Sequence, residues 1–121
     1  MNSNELKDRT TKFALRIVKL ADALPKTVLG NTITKQIIRS GTSVAANYRY
    51  ALRSRSDPEF ISKLNTVIEE CDETLFWLDL IIESELLKKE KVELLYQEAD
   101  ELVSIFCSTQ KTKKNKKNKK S

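Results

Sequence analysis

The sequence predicts an all-α protein, an antiparallel four-helix bundle with a disordered lysine-rich C-terminal tail. Three observations predict it. Glycine and proline occur only twice each in 121 residues, so few turns interrupt the chain. Apolar residues recur at alternating spacings of three and four, the stripe of a helix packed on one side. No segment alternates with the period of a strand, and no internal repeat occurs.

In the first helix the stripe is Leu6, Thr10, Phe13, Ile17, Leu20 and Leu24. Pro25 ends it, because proline disfavours helical geometry in the residue before it. Gly30 and Asn31 supply a turn and an N-cap, which predicts a second helix over about residues 31–54. That helix turns Ile33, Ile37, Gly41, Val44, Tyr48 and Leu52 inward, with Gly41 allowing a neighbouring helix to approach closely. Ser56-Asp57-Pro58-Glu59 opens the third helix, with Ser56 as cap, Pro58 in the first turn and Glu59 at the capping-box position. It runs to about Ser84, and Phe60, Leu64, Val67, Cys71, Leu75, Leu78 and Ile82 share one face. The segment 84–89 has no glycine or proline, so it marks no sharp boundary. Val92, Leu95, Ala99, Leu102 and Phe106 carry the stripe of a fourth helix. Residues 1–110 form one bundle domain in this scheme. Residues 111–121, KTKKNKKNKKS, hold seven lysines and no apolar side chain, so a disordered basic tail is expected there.

The net charge of +5 conceals a strong polarity. Residues 1–56 carry eleven Lys/Arg against three Asp/Glu, whereas residues 57–110 carry four against fourteen. The high pI therefore comes from the tail. On helix 2, Lys35, Arg39, Arg49 and Arg53 form a basic stripe opposite the apolar arc, with Tyr50 beside it. These four and the tail lysines Lys113, Lys114, Lys116, Lys117, Lys119 and Lys120 are the candidate nucleic-acid contacts, acting on phosphates as point charges or forks. The outer face of helix 3 carries Glu69, Glu73, Phe76 and Leu80, with Trp77 at its edge. Large apolar side chains on an outer face mark an interface, so these five are candidate contacts between copies of the chain. A contact between unlike surfaces is heterologous and must close into a ring or propagate. The basic stripe then has two readings: it meets structured RNA, or it is taken up by Glu69 and Glu73 of a neighbouring subunit.

Catalytic chemistry is poorly provided for. The chain has no histidine, which removes Ser-His and Cys-His pairs and the Glu-x-x-His ligands of di-iron bundles. Glu69, Glu70, Asp72 and Glu73 spread around their helix, as a solvated face does, rather than converging on a metal. Cys71 and Cys107 are expected as small buried side chains. The stretch GTSVAAN lacks the spacing of a phosphate-binding loop. No catalytic residue, metal, cofactor or small-molecule substrate is expected. The longest apolar run, LFWLDLII at 75–82, is short and holds Asp79, so no membrane partner is expected and a cytoplasmic location is.

Four segments together carry a family resemblance: DRTTKFALRIVKLADALPKT, RSGTSVAANYRYALRSRS, EFISKLNTVIEECDETLFWLDLI and EADELVSIFCSTQKT. They resemble the four-helix-bundle proteins encoded in intervening sequences of bacterial 23S rRNA genes. The resemblance implies assembly as a homopentamer. It also implies kinship with the accessory (Avd-like) proteins of diversity-generating retroelements, basic rings that engage a reverse transcriptase and nucleic acid. The implied partners are other copies of the chain, structured RNA, and a reverse transcriptase or other ribonucleoprotein. The expected function is thus a non-enzymatic, ring-forming homo-oligomeric scaffold that binds structured RNA or a ribonucleoprotein. The alternative is a protein–protein interaction module, or a reverse-transcriptase accessory protein, without direct RNA binding.

Overall fold

Four helices build the computed structural model, which describes the backbone of residues 1–120 and the side chains of residues 1–116. They are α1 (Ser3–Asp22), α2 (Val28–Ala51), α3 (Asp57–Glu83) and α4 (Lys89–Lys120). Each packs on the next and α4 returns to α1, which gives an up-down-up-down bundle. The α1–α4 seam is the thinnest of the four.

Side-chain caps start three of the helices. Asn2 Oδ1 accepts the Glu5 amide at 2.9 Å, while Glu5 Oε1 accepts from Asn2 Nδ2 at 2.8 Å. Ser56 Oγ accepts the Glu59 amide at 3.2 Å, as the sequence predicts, while Glu59 reaches back to the Arg55 amide at 2.9 Å, one residue before the N-cap amide of a strict capping box. The start of α2 differs from expectation. Thr27, not Asn31, is its N-cap and accepts the Gly30 amide at 3.0 Å. Gly30 lies inside the first turn, where a Cβ would overlap the Pro25 carbonyl folded back over it. The connection after α3 solves its missing glycine with Glu85, which takes a left-handed φ of 58°. The Leu86 amide then donates to the Ile81 carbonyl at 3.2 Å, and the Glu85 amide to Ile82 at 3.1 Å. This is a Schellman cap with glutamate in the usual glycine position.

The inward stripes of α1 and α4 are buried at every expected position. On α2, Leu52 is only half-buried and Ala51 is buried in its place. On α3 the innermost line is Leu64, Val67, Cys71, Thr74, Leu78 and Ile81, whereas Phe60, Leu75 and Ile82 sit half-buried at the rim. Thr74 takes an inner position because it has a polar partner there. Its hydroxyl lies 2.9 Å from the buried Ser40 Oγ on α2 and donates to the Glu70 carbonyl at 2.8 Å. Cys107 corrects a second expectation, since it is exposed beside the buried Phe106.

The lysine-rich segment begins as a prolongation of α4. Gln110 is the last buried residue among those described, and its amide donates to the Ile61 carbonyl at 3.1 Å and to Asn65 Oδ1 at 2.5 Å. Beyond it, residues 111–116 are solvated helix apart from a half-buried Lys113. Lysine has good helix propensity and suits a helix C-terminus, so the backbone continues without a core to hold it. Of residues 111–121, where a disordered tail is expected, the side chains of 117–121 and the backbone of 121 lie outside the described residues.

Candidate nucleic-acid interface

Helices that run antiparallel bring chain-distant ends together. Here the C-terminal ends of α2 and α4 meet the N-terminal ends of α1 and α3 at one end of the bundle. A cleft there is lined by Ser3 of α1, Ala51 of α2, the Ser54–Asp57 turn, Phe60 of α3, and Thr109 and Lys113 of α4. Lys113 Nζ lies 3.5 Å from Asp57 Oδ1 and 5.6 Å from the centre of the Phe60 ring, which ties the α4 extension to α3.

The predicted stripe on α2 therefore divides. Arg49 is exposed near the C-terminal end of α2 and donates to Thr11 Oγ1 of α1 at 3.0 Å, and Arg53 is exposed just past that end, in the α2–α3 connection. Lys35 is also exposed but lies roughly 20 Å further along the helix from Arg49, at about 1.5 Å per residue. Arg39 sits between them and is committed within the chain. Its guanidinium bonds Glu70 at 3.2 Å, pairs with Glu73, and donates to Gln36 Oε1 at 3.3 Å. Lys114 and Lys116 are exposed on the α4 extension; the side chains of Lys117, Lys119 and Lys120 lie outside the described residues.

Two basic residues join this end that the stripe pattern did not include. Arg55 lies exposed in the α2–α3 turn, and Lys63 lies on the second turn of α3. Lys63 Nζ stands 4.1 Å over the Tyr50 ring while pairing with Glu59 at 2.8 Å. It thus holds an exposed aromatic ring in place by a cation–π contact. The topology was the available signal for both, since an antiparallel bundle must gather those termini at one end. Arg53, Arg55, Lys114 and Lys116 have no acidic partner among the described residues, so their charge is presented to solvent. Such a cluster can hold phosphates, and Tyr50 offers a face for stacking.

The predicted interface residues separate in a similar way. Glu73 accepts from both Arg39 and the Trp77 indole, the latter at 3.0 Å, and Trp77 is half-buried. Phe76 remains 56% exposed, with its ring edge-on to Trp77 at 4.9 Å between centres. Leu80 is half-buried and Glu69 exposed.

Among the described residues no group of three or more His, Cys, Asp or Glu is arranged to hold a metal ion. Burial pushes the Cys71 thiol up to about 12, and its Sγ donates to the Ala99 carbonyl at 3.4 Å, so it stays a neutral core thiol. No described helix is long and apolar enough to cross a membrane.

Fold and surface together define an all-α bundle with one end rich in basic side chains and an acidic, aromatic face on α3. Residues 2–108 match the family model of the 23S rRNA-intervening sequence protein, and the chain belongs to that family. It is similar to a crystal structure of a protein of unknown function from the S23 ribosomal protein family of Bacteroides thetaiotaomicron VPI-5482. The two share 37% identity and superpose with a TM-score of 0.80, over 88% of this chain and 98% of the other. None of the curated proteins matches the chain.

Proposed function

We propose that the protein is a non-enzymatic scaffold of the cytoplasm that self-associates into a ring and binds structured RNA through its basic end. One observation carries the RNA reading: Arg53 and Arg55 of the α2–α3 connection lie at the same end as the α4 lysines, without acidic partners among the described residues. Two stretches about 60 residues apart in sequence thereby act as one electrostatic surface. The family's description refers to 23S rRNA intervening sequences, which makes a structured 23S rRNA stem-loop the first probe to use. Recognition of this kind favours shape and charge, because no base-reading motif accompanies the cluster.

The test is an anisotropy titration of a labelled stem-loop over a range of salt. Removal of residues 111–121 together with Arg53→Glu and Arg55→Glu is expected to weaken binding by at least tenfold. It should also flatten the plot of log affinity against log salt, since each lost phosphate contact removes about 0.7–0.9 from the slope. An unchanged affinity and slope would overturn the RNA reading.

A second reading, a protein–protein module without RNA, draws on a different observation. Phe76 is exposed on a helix face rich in carboxylates, which nucleic acid would avoid and a protein partner would cover. Wild-type protein that assembles but leaves the labelled stem-loop free at low salt would favour this reading.

A further inference from the structure

The self-association proposed above leaves open which surfaces meet, and two faces of the bundle have complementary shape and charge. The first is a ridge. On α3, Glu69, Asp72, Phe76, Asp79 and Glu83 follow one outer line at spacings of three and four, with Leu80 beside it one turn after Phe76. Its centre is apolar, because Phe76 is 56% exposed and Leu80 half-buried one turn later. Its flanks are wholly acidic: from Glu69 to Glu83 the chain has six carboxylates and no base.

The second face is a groove in the thin α1–α4 seam. Towards the N-terminus of α1 the seam is clamped by Arg9, which bonds Glu98 through Nε at 2.8 Å and Nη2 at 2.6 Å, and Glu101 at 3.1 Å. Nothing similar closes it at the other end. There the floor is Leu20, Leu87 and Leu94, and Leu94 is 69% exposed. The rim is basic, with Arg16 and Lys19 on α1 and Lys91 on α4 against the single acid Glu90.

The basic stripe of α2 is a poorer mate for the ridge. Its Arg39 already holds Glu70 and Glu73 of its own chain, and its one exposed aromatic, Tyr50, lies under Lys63. The groove offers what the stripe lacks: exposed leucine between uncommitted cations. We propose that the Phe76–Leu80 ridge of one copy seats in the Leu20–Leu87–Leu94 groove of the next, with Arg16, Lys19 and Lys91 facing the flanking carboxylates. Ridge-in-groove packing is the ordinary way helices meet, and the charges set the partner and its direction. The contact is heterologous: each copy gives a ridge and receives one. This assignment rests on the self-association reading.

Light scattering across a concentration series tests it with two variants, Phe76→Lys in the ridge and Leu94→Gln in the groove. Both side chains are more than half exposed, so folding should be retained, and the far-UV circular dichroism of each variant checks it. Wild type is expected to assemble, and each variant alone to remain a monomer. An equimolar mixture should form a one-to-one heterodimer, because the Phe76→Lys copy still has a groove and the Leu94→Gln copy still has a ridge. Reversal of the exposed rim by Arg16→Glu and Lys91→Glu should weaken wild-type assembly in the same way. A wild type that stays monomeric throughout overturns the self-association reading and this assignment with it. A wild type that assembles while either single variant keeps the full mass overturns only the choice of surfaces.

Discussion

Gly41 of α2 faces Ile17 of α1 so closely that a Cβ added to the glycine would lie 2.7 Å from Ile17 Cγ2 and 3.1 Å from Ile17 Cβ. Both residues are fully enclosed in the core. The atoms that would be met sit at the branch point of a β-branched side chain, which has little rotamer freedom in a helix. Only a shift of the two helices could make room.

Gly41→Ala is therefore expected to destabilise the bundle, although alanine is the better helix former. Overpacking costs about 1–3 kcal/mol and the propensity gain offsets roughly 1 kcal/mol of it. Ile17→Ala alone should cost about 2–5 kcal/mol as a large-to-small core change. The double variant should lose clearly less than the sum, because each change relieves the other. Urea denaturation of the four proteins measures this; strict additivity would show that the approach is not tight.

How much of this was legible in the sequence depended on the helix. The stripes of α1 and α4 were readable in full because their inner lines keep the three-and-four spacing unbroken, with Thr10 and Ala99 flanked on both sides by large apolar residues in register. The inner line of α3 was not, since it passes through Thr74 while the apolar Leu75 and Ile82 lie at the rim. Next to Thr74 the apolar Leu75 continues the same spacing and draws the line to itself, and only the partner hydroxyl of Ser40 on another helix favours Thr74 inside. The start of α2 was hidden because the capping Thr27 is followed by exposed Val28 and Leu29, which mimic no amphipathic turn. Lys35, Arg39 and Arg49 of the expected basic stripe lie on α2, whereas Arg53 falls just past its end because the helix stops at Ala51 and not near residue 54. The binding of Arg39 to Glu70 and Glu73 depends on the rotation and offset of two helices. A one-helix projection contains neither.

Glu85 holds a left-handed conformation that costs a residue with a Cβ about 1–2 kcal/mol. Glycine adopts it freely but loses more entropy on folding. Glu85→Gly is expected to raise stability by about 1 kcal/mol, seen as a higher melting temperature with no change in helical content. The side chain is exposed, so no packing is lost. A lower melting temperature would mean that the Glu85 side chain makes a contact worth more than the strain.

The two cysteines should separate kinetically. Cys107 is exposed on α4, whereas Cys71 is buried and its thiol is raised by that burial to about 12. The thiolate is the reactive form, so a disulfide reagent at neutral pH should label Cys107 promptly and Cys71 only as fast as the bundle opens. One equivalent released by the native protein and two in denaturant is the expected count. Prompt release of both would contradict the closed α3–α4 packing.

Glu59 provides the expected pH dependence. Its carboxylate is held below the ordinary value, chiefly by its hydrogen bond from Lys63 and then by the Arg55 amide. A native pKa below the unfolded one means that stability is fully present above the unfolded value, about 4.3, and is lost as pH falls through the native value. Glu59→Gln keeps an acceptor for the Arg55 amide but removes the charge that faces Lys63. The variant should be less stable than wild type at neutral pH, and the two denaturation midpoints should converge as the pH drops below about 4. Because the group is exposed, salt should shrink the difference too. A gap that stays constant from neutral to acid pH would assign the stabilisation to the neutral cap bond with Arg55 alone, and Lys63 would then be held at the basic end by its contact with Tyr50.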